Sequence, residues 1–167
     1  MAIQYDFEAS VGYWATITSI AFCRALNQEL APLGITQRQS QVLACLVQQG
    51  TLSQCELADC LDIEAPTLAG IISRMEAAGW VKRNSCSKDR RKKLVQIDAT
   101  AEPVWEQIAA CARKVRAAAT QGLTTEEIET LRSLLRRVHD NLHQSGLMTG
   151  QARNDCRSAN NSVDRPS

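Results

Sequence analysis

A dense cluster of basic side chains lies between Lys82 and Lys93. Asp89 is the single acidic residue in this segment, which carries a formal charge of +6, whereas the whole chain carries only +1. Outside the segment, acidic residues exceed basic residues by five. The basic residues are Lys82, Arg83, Lys88, Arg90, Arg91, Lys92 and Lys93. Such a concentration favours a surface that binds phosphate groups, and the alternative is a basic loop exposed to solvent.

The residues before this cluster predict two short helices joined by a tight turn. Ser53 and Glu56 have the spacing of a capping box, in which the serine accepts from a backbone N–H and the glutamate reaches back. A second helix should begin at about Glu64, because Pro66 is tolerated only in a first helical turn. Gly79 suits the left-handed position that closes a helix. The apolar residues at helical spacing are Leu57, Ala58 and Leu61, then Leu68, Ile71, Ile72 and Met75.

Two short strands are predicted around the basic loop. Residues 80–83 and 94–97 are the strands, and residues 84–93 form the loop between them. A basic hairpin that directly follows a helix-turn-helix is typical of proteins that bind DNA. A winged-helix adaptor that binds only other proteins is the alternative, but it would not need this charge.

Three segments resemble the MarR family of dimeric winged-helix repressors, and within it the SlyA branch. These segments are Ile63-Glu64-Ala65-Pro66-Thr67-Leu68, Met75-Glu76-Ala77-Ala78-Gly79-Trp80-Val81-Lys82-Arg83, and Cys86-Ser87-Lys88-Asp89-Arg90-Arg91-Lys92-Lys93. Ala101-Glu102-Pro103 adds to the likeness, which extends over residues 13–142. The resemblance implies a homodimeric transcriptional regulator, a repressor of a pseudo-palindromic operator.

The second helix of the pair is expected to lie in the major groove. Its first residues then face base edges, with small or apolar groups suited to thymine methyls, while basic side chains contact phosphates. The resemblance implies that Arg91 enters the minor groove and that Asp89 orients it, with Arg90 as the competing candidate. The predicted DNA-contacting residues are Ser53, Ala65, Pro66, Thr67, Leu68, Arg74, Lys82, Arg83, Lys88, Asp89, Arg90, Arg91, Lys92 and Lys93.

Long helices are predicted on both sides of this region. One covers residues 6–31, and a further helix follows the capping-box spacing of Thr36 and Gln39 and stops at Gly50. Two more follow the hairpin, over residues 101–119 and after Thr124. The last carries an apolar seam of Ile128, Leu131, Leu135, Val138 and Leu142.

This seam predicts a dimer, although one chain could also bury it against itself. The predicted fold is mainly α with a small β-hairpin, a dimeric winged helix-turn-helix flanked by N- and C-terminal dimerisation helices. Its parts are a dimerisation helix over residues 1–34, a DNA-binding domain over 35–100 and dimerisation helices over 101–144. A disordered tail over 145–167 completes the chain.

The resemblance also implies a small aromatic or phenolic anion bound between the dimer helices and the DNA-binding lobe. Arg24 is the obvious partner for a carboxylate. The alternative is that the residues in question simply belong to the core. The predicted ligand-binding residues are Tyr13, Ile17, Ile20, Arg24, Ser40, Leu43 and Ala44.

A thiol switch is the main rival signal. Cys86 stands among basic residues that favour a thiolate, so a redox-sensing repressor is the alternative function. The seven cysteines otherwise resemble reduced thiols, because no C-x-x-C occurs. His139 and His143 share a helical face but have no third ligand in sequence, so no metal is predicted.

The composition, with 44% hydrophobic and 22% charged residues, is that of an ordinary globular protein. No apolar run is long enough to span a bilayer, and Asp6 and Glu8 do not fit a secretory signal, which predicts a cytoplasmic protein. The chain also has no glycine-rich phosphate loop, nucleophile elbow or His-Glu metal motif. We therefore expect double-stranded DNA and a second copy as partners, no membrane, no cofactor and no enzymatic activity.

Overall fold

The computed structural model describes residues 6–85 and 93–147. Six α-helices and three short strands lie in these ranges, with 3-10 turns at Ala31–Leu33 and Ala99–Ala101. The helices are α1 (Val11–Leu30), α2 (Gln37–Gln49), α3 (Gln54–Leu61), α4 (Ala65–Ala77), α5 (Glu102–Ala119) and α6 (Thr125–Gln144). The strands are β1 (Leu52–Ser53), β2 (Val81–Ser85) and β3 (Lys93–Ile97). This mainly helical architecture confirms the predicted winged helix-turn-helix.

Local capping determines where most helices begin. Ser53 Oγ accepts from Glu56 N at 3.2 Å, while Ser53 N donates to Glu56 Oε2 at 2.7 Å, so α3 has the predicted capping box. Equivalent boxes begin α2 at Thr36 and α6 at Thr124. Each box satisfies backbone N–H groups that the first helical turn leaves unpaired. The starts of three helices are therefore determined by residues only three apart.

The start of α1 differs from the prediction. Its first residue is Val11 and not the vicinity of Asp6, because Ser10 adopts an extended backbone and its Oγ accepts from Tyr13 N at 3.3 Å. The preceding residues form a turn in which Ser10 N donates to Phe7 O. A cap at Ser10 thus begins the helix five residues later than the absence of helix breakers suggested.

The sheet has one more strand than the predicted hairpin. Strands β2 and β3 pair antiparallel with Val81 opposite Ile97, and β1 adds to the other edge of β3 with Leu52 opposite Val95. A strand of two residues has no periodicity of its own, which explains why the sequence did not predict it. Through β1, the strand pair is fastened to the start of α3.

One hydrophobic core joins α2, α3, α4 and the sheet. Leu43, Leu57, Leu68, Ile72, Met75 and Val95 are its fully buried centre. Leu30 at the end of α1 and Ile108 of α5 belong to the same core, so both long helices are packed on the DNA-binding lobe. In contrast, α6 contributes no buried residue.

The capping box of α3 gives a direct test of the fold. We expect Ser53→Ala to lower the free energy of unfolding by about 1 kcal/mol, because the Glu56 N–H would lose its acceptor at a site closed to water. Urea denaturation of both proteins measures this loss. Thr51→Ala, an exposed change two residues earlier, is the control and should alter stability by only a few tenths of a kcal/mol. An unchanged Ser53→Ala protein would contradict the role of the box.

Candidate nucleic-acid interface

Helix α4 has one buried and one exposed face. Leu68, Ile71, Ile72 and Met75 are buried, with at most 4% of each residue exposed. The first turn is exposed at Ala65, Pro66 and Thr67, and the exposed face continues to Ser73, Arg74 and Ala77. Because Pro66 has no N–H and occupies the first turn, it leaves no unpaired donor there. This exposed face is the candidate surface for a nucleic-acid groove.

Two residues that we predicted to contact DNA are buried in the structure. Leu68 is fully buried, because it lies on the helix face that packs into the core, so its side chain cannot reach a base edge in this conformation. Ser53 is 8% exposed and its hydroxyl is used by the capping box of α3. Both residues support the interface from inside and do not form it.

Arg74 is well placed on the outer face of α4. Its Nη1 lies 3.7 Å from the position that a Cβ would take at Gly70, so the guanidinium extends back along the helix towards the exposed first turn. Gly70, next to the Arg74 side chain, was not among the predicted site residues. It lies four residues from both Pro66 and Arg74, and this helical spacing could have shown that the three residues share one face.

Arg83, which we predicted to contact phosphate, is held by α4. Its Nε donates to Glu76 Oε2 at 2.8 Å, and its Nη2 also donates to this oxygen. The same Nη2 lies 3.4 Å from Ser73 Oγ. The hydrogen bonds from Arg83 lower the pKa of Glu76, and those to Glu76 raise the pKa of Arg83. Such a charge-assisted pair has a defined geometry. It therefore orients β2 relative to α4.

A second ion pair fastens the other side of the sheet. Lys82 Nζ lies 2.6 Å from Asp98 Oδ2, and Asp98 Oδ1 accepts from Thr100 N at 3.0 Å. Thr100 Oγ1 in turn donates to Gly79 O at 2.6 Å. Hydrogen bonding from Lys82, followed by that from Thr100, lowers the pKa of Asp98 to about 2. Asp98 thus links β2, the end of β3 and the turn after α4.

Most of the basic loop lies outside the described residues. This holds for Lys88, Asp89, Arg90, Arg91, Lys92 and the redox candidate Cys86. Lys93 is exposed at the start of β3, directly opposite Ser85. Of the predicted basic contacts in the described ranges, Arg74 lies on the outer face of α4, Lys82 and Arg83 lie on β2 and Lys93 begins β3. Sequence spacing alone did not show that two of them have acidic partners.

The predicted ligand-binding residues differ in burial within the described chain. Ser40 and Leu43 are buried in the core, where the Ser40 hydroxyl donates to Gln37 O at 2.7 Å. Tyr13, Ile20, Arg24 and Ala44 are exposed, and Ile17 is half-buried. Ser40 and Leu43 are therefore core residues in the described chain, and their contact with a ligand stays a prediction.

A groove of about 530 Å³ lies instead between α1 and α5. Of the predicted ligand-binding residues, only Ile17 lines it. Its wall is mainly apolar, with Phe22 and Val115 on opposite helices, and Lys114 at its edge lies 2.7 Å from Glu29. An apolar groove between two long helices suits another apolar element better than an anion.

His139 and His143 face each other on α6, with their Nε2 atoms 3.0 Å apart. Within residues 6–85 and 93–147, no group of three or more potential metal ligands comes together. In the same ranges, no helix is long and apolar enough to cross a membrane.

A buried recognition-helix face, a fastened strand pair and a basic loop define a winged helix-turn-helix protein of the DNA-binding class. Residues 35–93 match the sequence model of the MarR family. The crystal structure of the transcriptional regulator PA3341 is similar, with 30% identity over 81% of this chain and 99% of that chain and a TM-score of 0.72. The chain belongs to the MarR family of transcriptional regulators. This assignment confirms the family prediction and a regulatory, non-enzymatic class.

Two further structures are similar to the chain. Apo wild-type MarR from E. coli shares 28% identity, with a TM-score of 0.70 over 77% of this chain and 96% of that chain. A mutant MarR from E. coli, complexed with operator DNA, shares 26% identity, with a TM-score of 0.70 over 82% of this chain and 99% of that chain.

The lowered pKa of Asp98 makes a prediction about acid stability. We expect Asp98→Asn to be less stable than the parent at neutral pH, because the charged carboxylate is stabilised above its unfolded pKa of about 4. This difference should disappear as the pH falls from about 4 to about 2, where the folded-state carboxyl becomes protonated. Thermal unfolding at a series of pH values measures it. Asp59→Asn, at an exposed position on α3, is the control. If the stability difference between Asp98→Asn and the parent were constant with pH, the proposed role of the Asp98 carboxylate would be wrong.

Proposed function

We propose that the chain is a homodimeric repressor of the SlyA-like branch that binds a pseudo-palindromic operator and is released by a small aromatic anion. The observation that carries the proposal is the exposed first turn of α4, a helix that the Arg83–Glu76 pair connects to β2, the strand that leads into the basic segment. The E. coli MarR mutant of similar fold is complexed with operator DNA. If the present chain acts on chromosomal DNA, it works in the cytoplasm, which is also the location predicted from its sequence.

In this proposal α4 lies in the major groove. Ala65, Pro66 and Thr67 present two small apolar surfaces and one hydroxyl, which suits contacts with thymine methyls and a single hydrogen bond. The N-terminus of α4 also directs its partial positive charge towards the DNA. Since few side-chain donors face the bases, much of the affinity must come from phosphate contacts and should fall steeply with salt.

The phosphate contacts proposed are Arg74, Lys82, Arg83, Lys88, Lys92 and Lys93. Lys82 is paired with Asp98, yet its side chain is 60% exposed and keeps N–H donors for phosphate. Arg83 is more committed to Glu76, so we assign it chiefly to orientation of the strands. Insertion of Arg91 into the minor groove, oriented by Asp89, stays a prediction from the family resemblance.

The dimer is proposed from the apolar stripe of α6. Leu131, Leu135 and Leu142 are 47–50% exposed and Val138 is 37% exposed, so the described chain does not bury the seam against itself. Leu134, which the sequence analysis omitted, is 49% exposed beside them. Full burial of a leucine contributes about 1.5–3 kcal/mol, so covering these half-exposed side chains would stabilise an assembly substantially.

The groove between α1 and α5 offers a surface for the same seam in a second copy. It is apolar and open, and Phe22 at its wall is 41% exposed. Two such contacts related by a two-fold axis would bury both surfaces in a closed dimer. Two recognition helices related by this axis read two half-sites, which is why the operator should be pseudo-palindromic.

The anion is proposed to bind where the dimer helices meet the lobe. The exposed side chain of Arg24 on α1 supports this, since it can turn towards a carboxylate at the junction.

Two alternative functions remain, a redox-sensing repressor that uses Cys86 and an adaptor that binds proteins. A gel-shift experiment with a duplex from the region upstream of its own gene distinguishes a DNA-binding regulator from the adaptor. The regulator should give a salt-dependent shift, and the adaptor should give no shift at low salt.

Thr67→Glu tests the recognition helix. The change places a carboxylate against the groove floor, so we expect operator affinity to fall at least about 100-fold while the fold is kept. Fluorescence anisotropy with the operator duplex measures the affinity, and circular dichroism checks the fold. Ser133→Glu on α6 adds the same charge elsewhere and should bind the operator as the parent does. Unchanged affinity for Thr67→Glu would mean that another surface contacts DNA.

Leu135→Glu tests the dimer. A carboxylate in an apolar seam has no partner and loses its hydration, so we expect dissociation or unfolding. Light scattering at several protein concentrations measures the mass. Ser133→Glu lies on the opposite side of the same helix and should remain dimeric. A parent protein that is a folded monomer at micromolar concentration would overturn the proposed assembly.

A further inference from the structure

Two cysteine thiols meet inside the DNA-binding lobe. Cys45 on α2 and Cys60 in the last turn of α3 have their Sγ atoms 3.1 Å apart, although they are fifteen residues apart in sequence. Gln49 Nε2 lies 3.5 Å from Cys60 Sγ, so a second group can donate to this sulfur. Cys45 is half-buried and Cys60 is exposed. Small oxidants in solution therefore meet Cys60 first.

We propose that Cys45 and Cys60 form a reversible intrachain disulfide by exchange with low-molecular-weight disulfides, and that this bond weakens operator binding. The effect on the operator rests on the proposed function, whereas formation of the bond does not. The other described cysteines have different surroundings. Cys111 donates to Glu29 O at 3.5 Å, and Cys55 is exposed in the first turn of α3.

The reaction has two exchange steps. The Cys60 thiolate attacks one sulfur of the external disulfide, forms a mixed disulfide and releases one external thiolate. Cys45 then loses its proton and attacks Cys60 Sγ, which displaces the second external thiol. Two protein thiols are oxidised to one disulfide, and one external disulfide is reduced to two thiols. No further oxidant is needed.

The surroundings of Cys45 suit the second step. Burial raises the pKa of Cys45 to about 12, and the hydrogen bond and charge of Cys60 contribute to the rise. Cys45 therefore stays protonated and can donate to Cys60 in the reduced protein. In a mixed disulfide the Cys60 sulfur cannot be a thiolate, so both contributions from Cys60 weaken. Burial still raises the pKa of Cys45, but its proton then leaves more readily than in the reduced protein.

The bond would act on the turn that leads into α4. Its formation shortens the Sγ–Sγ distance from 3.1 Å to about 2.05 Å, which draws the last turn of α3 towards α2. That turn accepts a hydrogen bond from Arg38 at Leu61 O and ends at Asp62, whose backbone is left-handed with φ 48°. Only Ile63 and Glu64 separate Asp62 from α4. A change at Cys60 therefore shifts the exposed first turn of the recognition helix.

The test uses oxidised glutathione as the probe and Cys55→Ser as the parent protein. After oxidation and alkylation, cleavage following glutamate places Cys45 in fragment 30–56 and Cys60 in fragment 57–64. Removing Cys55 leaves each of these fragments with one cysteine. We expect a linked pair of fragments by non-reducing mass spectrometry, separated again by dithiothreitol. The matched control, Cys55→Ser with Cys60→Ser, keeps a hydrogen-bonding group at the exposed position and should give no linked pair.

Operator binding is measured on the same samples. We expect oxidation to weaken binding by about fivefold or more in the parent, with recovery on reduction and little change in the control. Absence of the linked fragments after oxidation overturns the proposal. Linked fragments with unchanged affinity overturn the coupling of the bond to DNA binding. Failure of the reduced parent to bind any operator would instead overturn the proposed function, and the fragment analysis would still decide whether the bond forms.

Discussion

The structure depends first on the burial of one face of α4. Leu68, Ile71, Ile72 and Met75 are held in a core shared with α2, α3 and the sheet, which determines the rotation of the helix about its axis. A rotation by one residue would expose apolar side chains and bury Thr67 or Arg74 without partners. The same packing that stabilises the lobe therefore selects the residues that can face a groove. Stability and the proposed DNA contacts therefore use opposite sides of one helix.

Two surface ion pairs and their hydrogen bonds connect the strand pair with the elements around it. Exposed ion pairs contribute little to overall stability. Their value here lies in geometry, because Arg83 connects β2 with Glu76 of α4, while Asp98 connects Lys82 with Thr100 beyond β3. The basic segment can cooperate with α4 only if both are presented to the same duplex. Residues predicted as phosphate contacts thus have a second role in orientation.

The thiol pair and the long helices extend this arrangement in different directions. Cys45 and Cys60 lie where α2 meets α3, close to the turn before α4, so chemistry at one exposed sulfur is connected to the interface. The apolar stripe of α6 is exposed in the described chain and is the surface that we propose for pairing with a second copy. Control by oxidation would act within one DNA-binding lobe. A ligand between the helices would instead change the distance between the two lobes of the proposed dimer.

The sequence by itself determined the helix-turn-helix, the strand pair and the family. Capping boxes and Gly79 depend on residues a few positions apart, and the charge of the basic segment depends on composition alone. Only the tertiary structure decided that β1 joins the sheet, that Arg83 pairs with Glu76 and that Cys45 meets Cys60. Each of these involves a contact across elements or the rotation of a helix against its core. Packing of the whole lobe determines such features, and local periodicity does not contain them.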